Sequence, residues 1–175
     1  MIMRYYDFYE SPHGRMLLVA GDGGLTGVYF EGQKYHPQIA AGWRHDAPHA
    51  PLRQAKRELT EYFGGERKRF ETRLAPDGTP FQHAVWKAIS TVGFGETITY
   101  GELARQAGYP GHARAAGAAT GRNPLTIIVP CHRIVGSTGS LTGYAGGLDR
   151  KRALLTLEGA PGSGQQSMFM TSAAA

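Results

Sequence analysis

Residues 99–120 read TYGELARQAGYPGHARAAGAAT, and this stretch sets the architecture of the second half of the chain. Thr99 is a good N-cap, because its hydroxyl can take up a backbone N–H left free in a first helical turn. Residues 100–107 then predict a helix that Gly108 closes. Tyr109-Pro110-Gly111-His112 is turn chemistry, and residues 113–120 predict a second short helix of very small side chains. Helix, glycine-bearing turn, helix is the helix-turn-helix pattern.

Working outward, residues 80–92 (PFQHAVWKAISTV) put Phe81, Val85, Trp86 and Ile89 on one helical face, which ends at Gly93. Residues 147–158 predict a last helix carrying the basic stretch Asp149-Arg150-Lys151-Arg152. The first half has another texture. Residues 4–9, 14–20 and 25–30 read as strands, separated by Ser11-Pro12-His13-Gly14 and Gly21-Asp22-Gly23-Gly24, which suit hairpins. Residues 31–50 give no periodic signal and read as loop. Residues 52–63 (LRQAKRELTEYF) predict a helix stopped by Gly64-Gly65, and residues 68–74 a short basic strand. The reading is α+β: a strand meander with one helix over 1–76, a linker at 77–80, a mainly helical domain over 81–160, and a flexible tail over 161–175.

Composition narrows the class. The chain has 175 residues, 41% hydrophobic and 19% charged, which is a globular composition. Its single cysteine excludes internal disulfides and multi-cysteine zinc sites. No apolar run approaches the roughly 18 residues of a membrane span. Charges stand where a signal peptide would be apolar, so a cytoplasmic protein is expected. His45 and His49 form the one i,i+4 histidine pair, in a loop-like region without a third obvious ligand, so no metal site is expected. The net charge is +5, with 11 basic and 10 acidic side chains in residues 1–80 against 8 and 4 in residues 81–175. If DNA is the partner, the second half is where it docks.

The small-residue helix 113–120 admits two readings. One is tight packing against another helix. The other is a helix laid in the minor groove, with Arg114 entering the base stack in place of an extruded nucleotide. The lone cysteine also admits two. It is buried and inert, the commoner case, or it is a nucleophile whose thiolate His132 and Arg133 favour. Its setting, Asn123-Pro124-Leu125-Thr126-Ile127-Ile128-Val129-Pro130-Cys131-His132-Arg133, reads as an apolar strand running into the cysteine. Neighbours on a strand point to opposite faces, so a direct Cys131–His132 contact is not assured.

Pro130-Cys131-His132-Arg133, followed by GSTGSLTGYAGGL over 136–148, resembles the active-site region of the 6-O-alkylguanine-DNA alkyltransferases. The likeness extends through Phe81-Gln82, Val85-Trp86, Phe94-Gly95-Glu96, Thr99-Tyr100-Gly101, Ala113-Arg114-Ala115, Gly121-Arg122-Asn123-Pro124, Leu154-Leu155 and Glu158-Gly159. It covers residues 80–160. The first half matches only in outline, like the N-terminal domain of bacterial members.

The resemblance implies a ribonuclease-H-like first domain and a winged-helix-like second one. It implies that Cys131 takes the alkyl group from O6 of a flipped guanine in duplex DNA, irreversibly and once, with 4-O-alkylthymine a further candidate substrate. A water would link Cys131 to His132, which removes the adjacency problem, and Glu158 would orient His132. Tyr100 would hydrogen-bond the base and protonate the leaving guanine. Asn123 would brace the turn before Cys131. Arg114, flanked by Ala113 and Ala115 in the groove, would fill the gap left by the base, and Arg122 would touch phosphate. The loop over 140–147 would be a lid beside the guanine pocket: Tyr144 would pack on the alkyl group, with Ala145 N–H serving the guanine oxygen and Gly146 beside it. Main-chain carbonyls of Cys131 and Ile134 would take the guanine amino group, with Arg133 in the same base-binding set. No cofactor, metal or membrane is implied. The chain would act as a monomer, with cooperativity on DNA left open. Ile134-Val135 and Ala116 depart conservatively from the family pattern. A non-catalytic DNA-binding module and a cysteine hydrolase are the alternatives.

Overall fold

The computed structural model describes residues 2–161, so the tail expected over 161–175 lies outside the described residues except for its first position. Three antiparallel strands, β1 (Tyr5–Ser11), β2 (Gly14–Gly21) and β3 (Gly24–Phe30), form the expected meander. A fourth strand, β4 (Arg44–His45), lies within the stretch read as loop and pairs parallel to β1 through Tyr5↔Arg44 and Tyr6↔His45. Two residues carry no periodicity, so the sequence held no signal for it. The sheet order is β3-β2-β1-β4. The helix α1 (Ala50–Phe63) buries Leu52, Ala55, Leu59 and Tyr62 in one cluster with Met16, Leu18 and Phe30 of the sheet.

Residues 68–74 do not form the expected strand. Glu58 of α1 is fully buried, and its carboxylate accepts the Glu71 N–H at 2.7 Å, the Thr72 N–H at 2.8 Å and the Thr72 hydroxyl. The donors a strand would give to a ladder go to a side chain instead. Only a bridge at Leu25↔Leu74 remains. His45 and His49 are also committed elsewhere: His45 Nε2 meets Asp7 at 2.9 Å, and His49 stacks on Tyr5 at 4.1 Å.

In the second half, α2 (Pro80–Ile89) starts at a capping box of Thr79 and Gln82. Then come β5 (Ile98–Thr99), α3 (Tyr100–Gln106) and α4 (Ala113–Gly121). Thr99 caps α3 by accepting the Glu102 N–H at 3.2 Å. Gly108 and Gly111, both at positive φ, turn the chain between α3 and α4. The tight-packing reading of the small-residue helix holds for one of its faces. Ala116, Ala119 and Thr120 are buried, and Trp86 Nε1 donates to Ala119 O at 2.9 Å, while Arg114, Ala115 and Ala118 face solvent. A 3-10 turn (Cys131–Arg133), β6 (Ile134–Val135) and α5 (Leu148–Leu157) complete the described residues, and β6 pairs parallel with β5. The halves are stitched together at β3, where Val28 N donates to Pro124 O at 2.7 Å and Thr126 N to Val28 O at 3.1 Å. Among the described residues no helix is long and apolar enough to cross a membrane.

Candidate active site

Cys131 opens a 3-10 turn and is not on a strand. Three residues per turn rotate successive side chains by a third of a circle, so His132 is carried inward behind the cysteine. It is wholly buried, and its Nε2 lies 2.7 Å from Glu158 Oε1. Its other nitrogen, Nδ1, is buried without a hydrogen-bond partner among the described residues.

Glu158, at the end of α5, is the hub. Oε1 accepts the Tyr62 hydroxyl at 2.8 Å and Arg133 Nη2 at 2.9 Å, besides meeting His132. Oε2 accepts Arg133 Nε at 2.9 Å and the Gly95 N–H. Burial opposes the ionised form, but the hydrogen bonds and charges of His132 and Arg133 prevail and hold Glu158 at about 2. Burial pulls His132 below the ordinary imidazole value despite Glu158. Burial pushes the Cys131 thiol up, partly offset by Asn123 and Lys151. At neutral pH the resting site is therefore a thiol, a neutral imidazole and a carboxylate.

Asn123 braces the segment before the cysteine from both ends. Its Nδ2 donates to Val129 O at 2.8 Å and its Oδ1 accepts the Leu125 N–H at 2.9 Å. Between them Ile127 is held at φ 73°, a conformation that β-branched residues avoid. Asn123→Ala leaves the buried Leu125 N–H unpaired, at about 1–3 kcal/mol, while Val129 O keeps the Cys131 N–H at 2.8 Å. The melting temperature is expected to fall by about 2–4 °C per kcal/mol in a chain of this size. A thermal melt indistinguishable from the parent would remove the brace from the argument.

A cavity of about 820 Å³ is walled by Cys131, Tyr100, Ala115, Arg122, Tyr144 and Ala145 among others. Asn123, His132 and Glu158 lie behind that wall. Tyr100 donates to Thr142 O at 3.1 Å, linking α3 to the lid. Tyr144 has a buried hydroxyl with no hydrogen-bond partner among the described residues. Gly146 packs where a Cβ would come 3.2 Å from the Phe30 ring, and its carbonyl accepts Arg150 Nη1. Ala113 and Arg114 open α4 outside the cavity wall.

Arg133 differs from its expected place in the base-binding set. It is 6% exposed, and its guanidinium is spent on Glu158 and on Val92 O at 2.7 Å, so it faces the relay and not DNA. The Ile134 carbonyl already accepts Lys151 Nζ at 2.6 Å.

Two site residues were missed in the sequence. Lys151 is fully buried, and its Nζ also donates to Thr142 O at 2.9 Å and Gly143 O at 3.2 Å, tying the lid to β6. Burial pulls it down to about 8. Its signal was spacing: residues 151, 154, 155 and 158 share one helical face, and that face holds Lys151, Leu154, Leu155 and Glu158. Tyr62 read as one more apolar position of α1 and carried no signal for its hydroxyl. Among the described residues no cluster of three or more His, Cys, Asp or Glu could hold a metal ion.

A buried cysteine at the edge of a cavity that a helix-turn-helix borders, in front of a histidine–glutamate pair, fits a class in which the protein's own thiol is the reagent. Comparison with known proteins gives that class its family. Residues 80–160 match the DNA-binding domain of 6-O-methylguanine DNA methyltransferase, and residues 4–76 match its ribonuclease-like domain. The chain belongs to this family. It is 48% identical over 155 residues to a methylated-DNA–protein-cysteine methyltransferase of Methanosarcina acetivorans, covering 89% of this chain and 98% of that one. The crystal structure of Mycobacterium tuberculosis O6-methylguanine methyltransferase superposes with a TM-score of 0.81 at 46% identity, covering 91% of this chain and 96% of that one. A structure of the M. tuberculosis protein in complex with DNA superposes at 0.78 and 44% identity, covering 92% and 96%.

Proposed function

We propose that this chain repairs DNA by moving an alkyl group from O6 of guanine in a duplex to Cys131, once per chain. The observation that carries this reading is the Cys131–His132–Glu158 arrangement beside a cavity that α4 borders. The step balances simply. The thiol proton passes to His132, whose Nδ1 is the relay's unpaired nitrogen, through a bridging water. The S–C bond forms as the C–O6 bond breaks. Its electron pair goes to the guanine, which takes a proton from Tyr100 once that hydroxyl has left the Thr142 carbonyl. Glu158 stabilises the imidazolium that results. No cofactor or metal enters.

The base reaches the cavity by leaving the stack. Arg114, exposed in the first turn of α4 and flanked by Ala113 and Ala115, is the side chain positioned to take its place. Arg122 contributes positive charge at the mouth. The chain acts as a monomer in this reading. The test is intact-protein mass after incubation with a duplex containing 6-O-methylguanine. The expected result is a gain of one CH₂ unit, mapped to Cys131 and saturating at one per chain. DNA binding without mass gain would leave only a binding module, and repeated turnover without DNA would point to a hydrolase.

Arg114→Ala separates flipping from chemistry. Repair of duplex DNA should slow at least about tenfold, the order expected for losing one positioned group. Reaction with free 6-O-benzylguanine should keep the parent rate, because nothing needs extruding. Equal losses on both substrates would count against the finger.

A further inference from the structure

The first half of the chain reaches the mouth of the cavity through one turn, and the turn is built in an unusual way. Residues 33–36 close with His36 N–H to Gln33 O at 3.3 Å. Gln33 is buried, and its Oε1 accepts the Phe30 N–H at 2.7 Å and the Thr126 hydroxyl at 3.2 Å, so the turn is anchored to both halves. Lys34 N–H donates to Ala145 O at 3.0 Å and so holds the lid. The third position is Tyr35, at φ 62°. That position of such a turn calls for glycine or asparagine. A tyrosine there is strained, and a strained residue at the edge of a reaction cavity points to a use for its side chain.

The ring is held in place. The Arg122 guanidinium, just beyond α4, lies 3.7 Å above it, and Lys34 Nζ is 5.2 Å from its centroid. Tyr35 lines the same cavity as Cys131, and the bond of its neighbour Lys34 to Ala145 O sets this turn against the lid. Tyr35 is 46% exposed, so its ring stands at the outer rim of the cavity. The alkyl carbon has to meet the Cys131 sulfur. A substituent extending from it along the lid passes Tyr144 and comes to the segment that Lys34 fastens, where Tyr35 follows Lys34.

We propose that Tyr35 is a specificity-determining residue for the alkyl group, the outer wall of the cavity that limits the size of the adduct accepted. This rests on the alkyl-transfer reading above. Arg122 acts through Tyr35 by pinning its ring, a role distinct from phosphate contact.

The cleanest variant is Tyr35→Gly, which deletes the ring, suits the positive φ and keeps the Lys34 backbone bond to the lid. Tyr35→Asn, which also tolerates that backbone, is the second. Transfer rates are measured by intact mass on one duplex carrying either 6-O-methylguanine or 6-O-benzylguanine. Both variants should raise the benzyl-to-methyl rate ratio by about tenfold, the scale of one pocket contact, with the methyl rate near that of the parent. Arg122→Ala should raise the ratio less. A ratio that is unchanged or lower in both Tyr35 variants, with the parent reacting, overturns the wall alone. A parent chain that takes up neither group overturns the alkyl-transfer reading and this one with it.

Discussion

Cys131→Ala is expected to abolish alkyl uptake outright while duplex affinity stays close to that of the parent. The two effects separate because they belong to different parts of the molecule. The chain has one cysteine, so no second thiol can stand in. The side chain is 5% exposed and lies against the cavity, where it contributes nothing to the surface that meets phosphates. In the proposed reading affinity comes from basic side chains and the exposed face of α4, and it should fall with added salt as counterions are released. Stability changes little, since one buried sulfur is a small void, about 1 kcal/mol. Intact mass and fluorescence anisotropy on one labelled duplex at fixed salt read both quantities. Residual uptake in this variant would move the nucleophile elsewhere.

The largest loss of stability is expected at Glu158. Replacing it with alanine strands Arg133, whose guanidinium is buried and has no other anion beside it in this cluster. Breaking a buried pair in this way costs about 3–5 kcal/mol. That is a large share of the roughly 5–15 kcal/mol that holds a domain together. Denaturant titration measures it, and an unchanged midpoint would mean the cluster is not structural. Glu158→Gln keeps the volume and removes only the charge, so it isolates the electrostatic part through its pH dependence. Glu158 is held at about 2 against an ordinary 4.5. A carboxylate with a depressed value stabilises the fold above its unfolded value and loses that contribution as pH falls. The gap between parent and Glu158→Gln should therefore be full above 4.5, about 3 kcal/mol on the linkage scale, and close between 4.5 and 2. Burial pulls His132 in the same direction, since a neutral buried imidazole is lost to protonation of the unfolded chain below its ordinary value. A gap that stays constant across this range would show that Glu158 acts through shape and not charge.

Much of this was legible in the residues, for identifiable reasons. Capping residues and glycines wrote out α3, the turn and α4, because each is local chemistry with a fixed spacing. The meander was legible because alternation and hairpin turns are local too. The site's nucleophile and its partners came from a spaced set of residues that resembles a known family, not from physics alone: Cys-His on its own says little. What stayed hidden depended on contacts distant in sequence. The strand expected over 68–74 was displaced by Glu58, a carboxylate of α1 that lies 13 positions from its partner Glu71. Arg133 looked like a cation for DNA, and only the fold reveals that Glu158 claims it. Lys151 was masked by its neighbours Arg150 and Arg152, although its helical phase set it apart from both.

The bond from Tyr62 to Glu158 joins residues 96 positions apart. Loop closure makes such contacts late ones, formed after helices and hairpins that gather near neighbours. The stretch from Cys131 to Glu158 can assemble early, but its hub gains its last donor only when α1 has docked. During synthesis the same order holds, because α1 emerges long before its partner exists. For a protein that reacts once, the cluster behind the thiol is then complete only after the two halves have found each other.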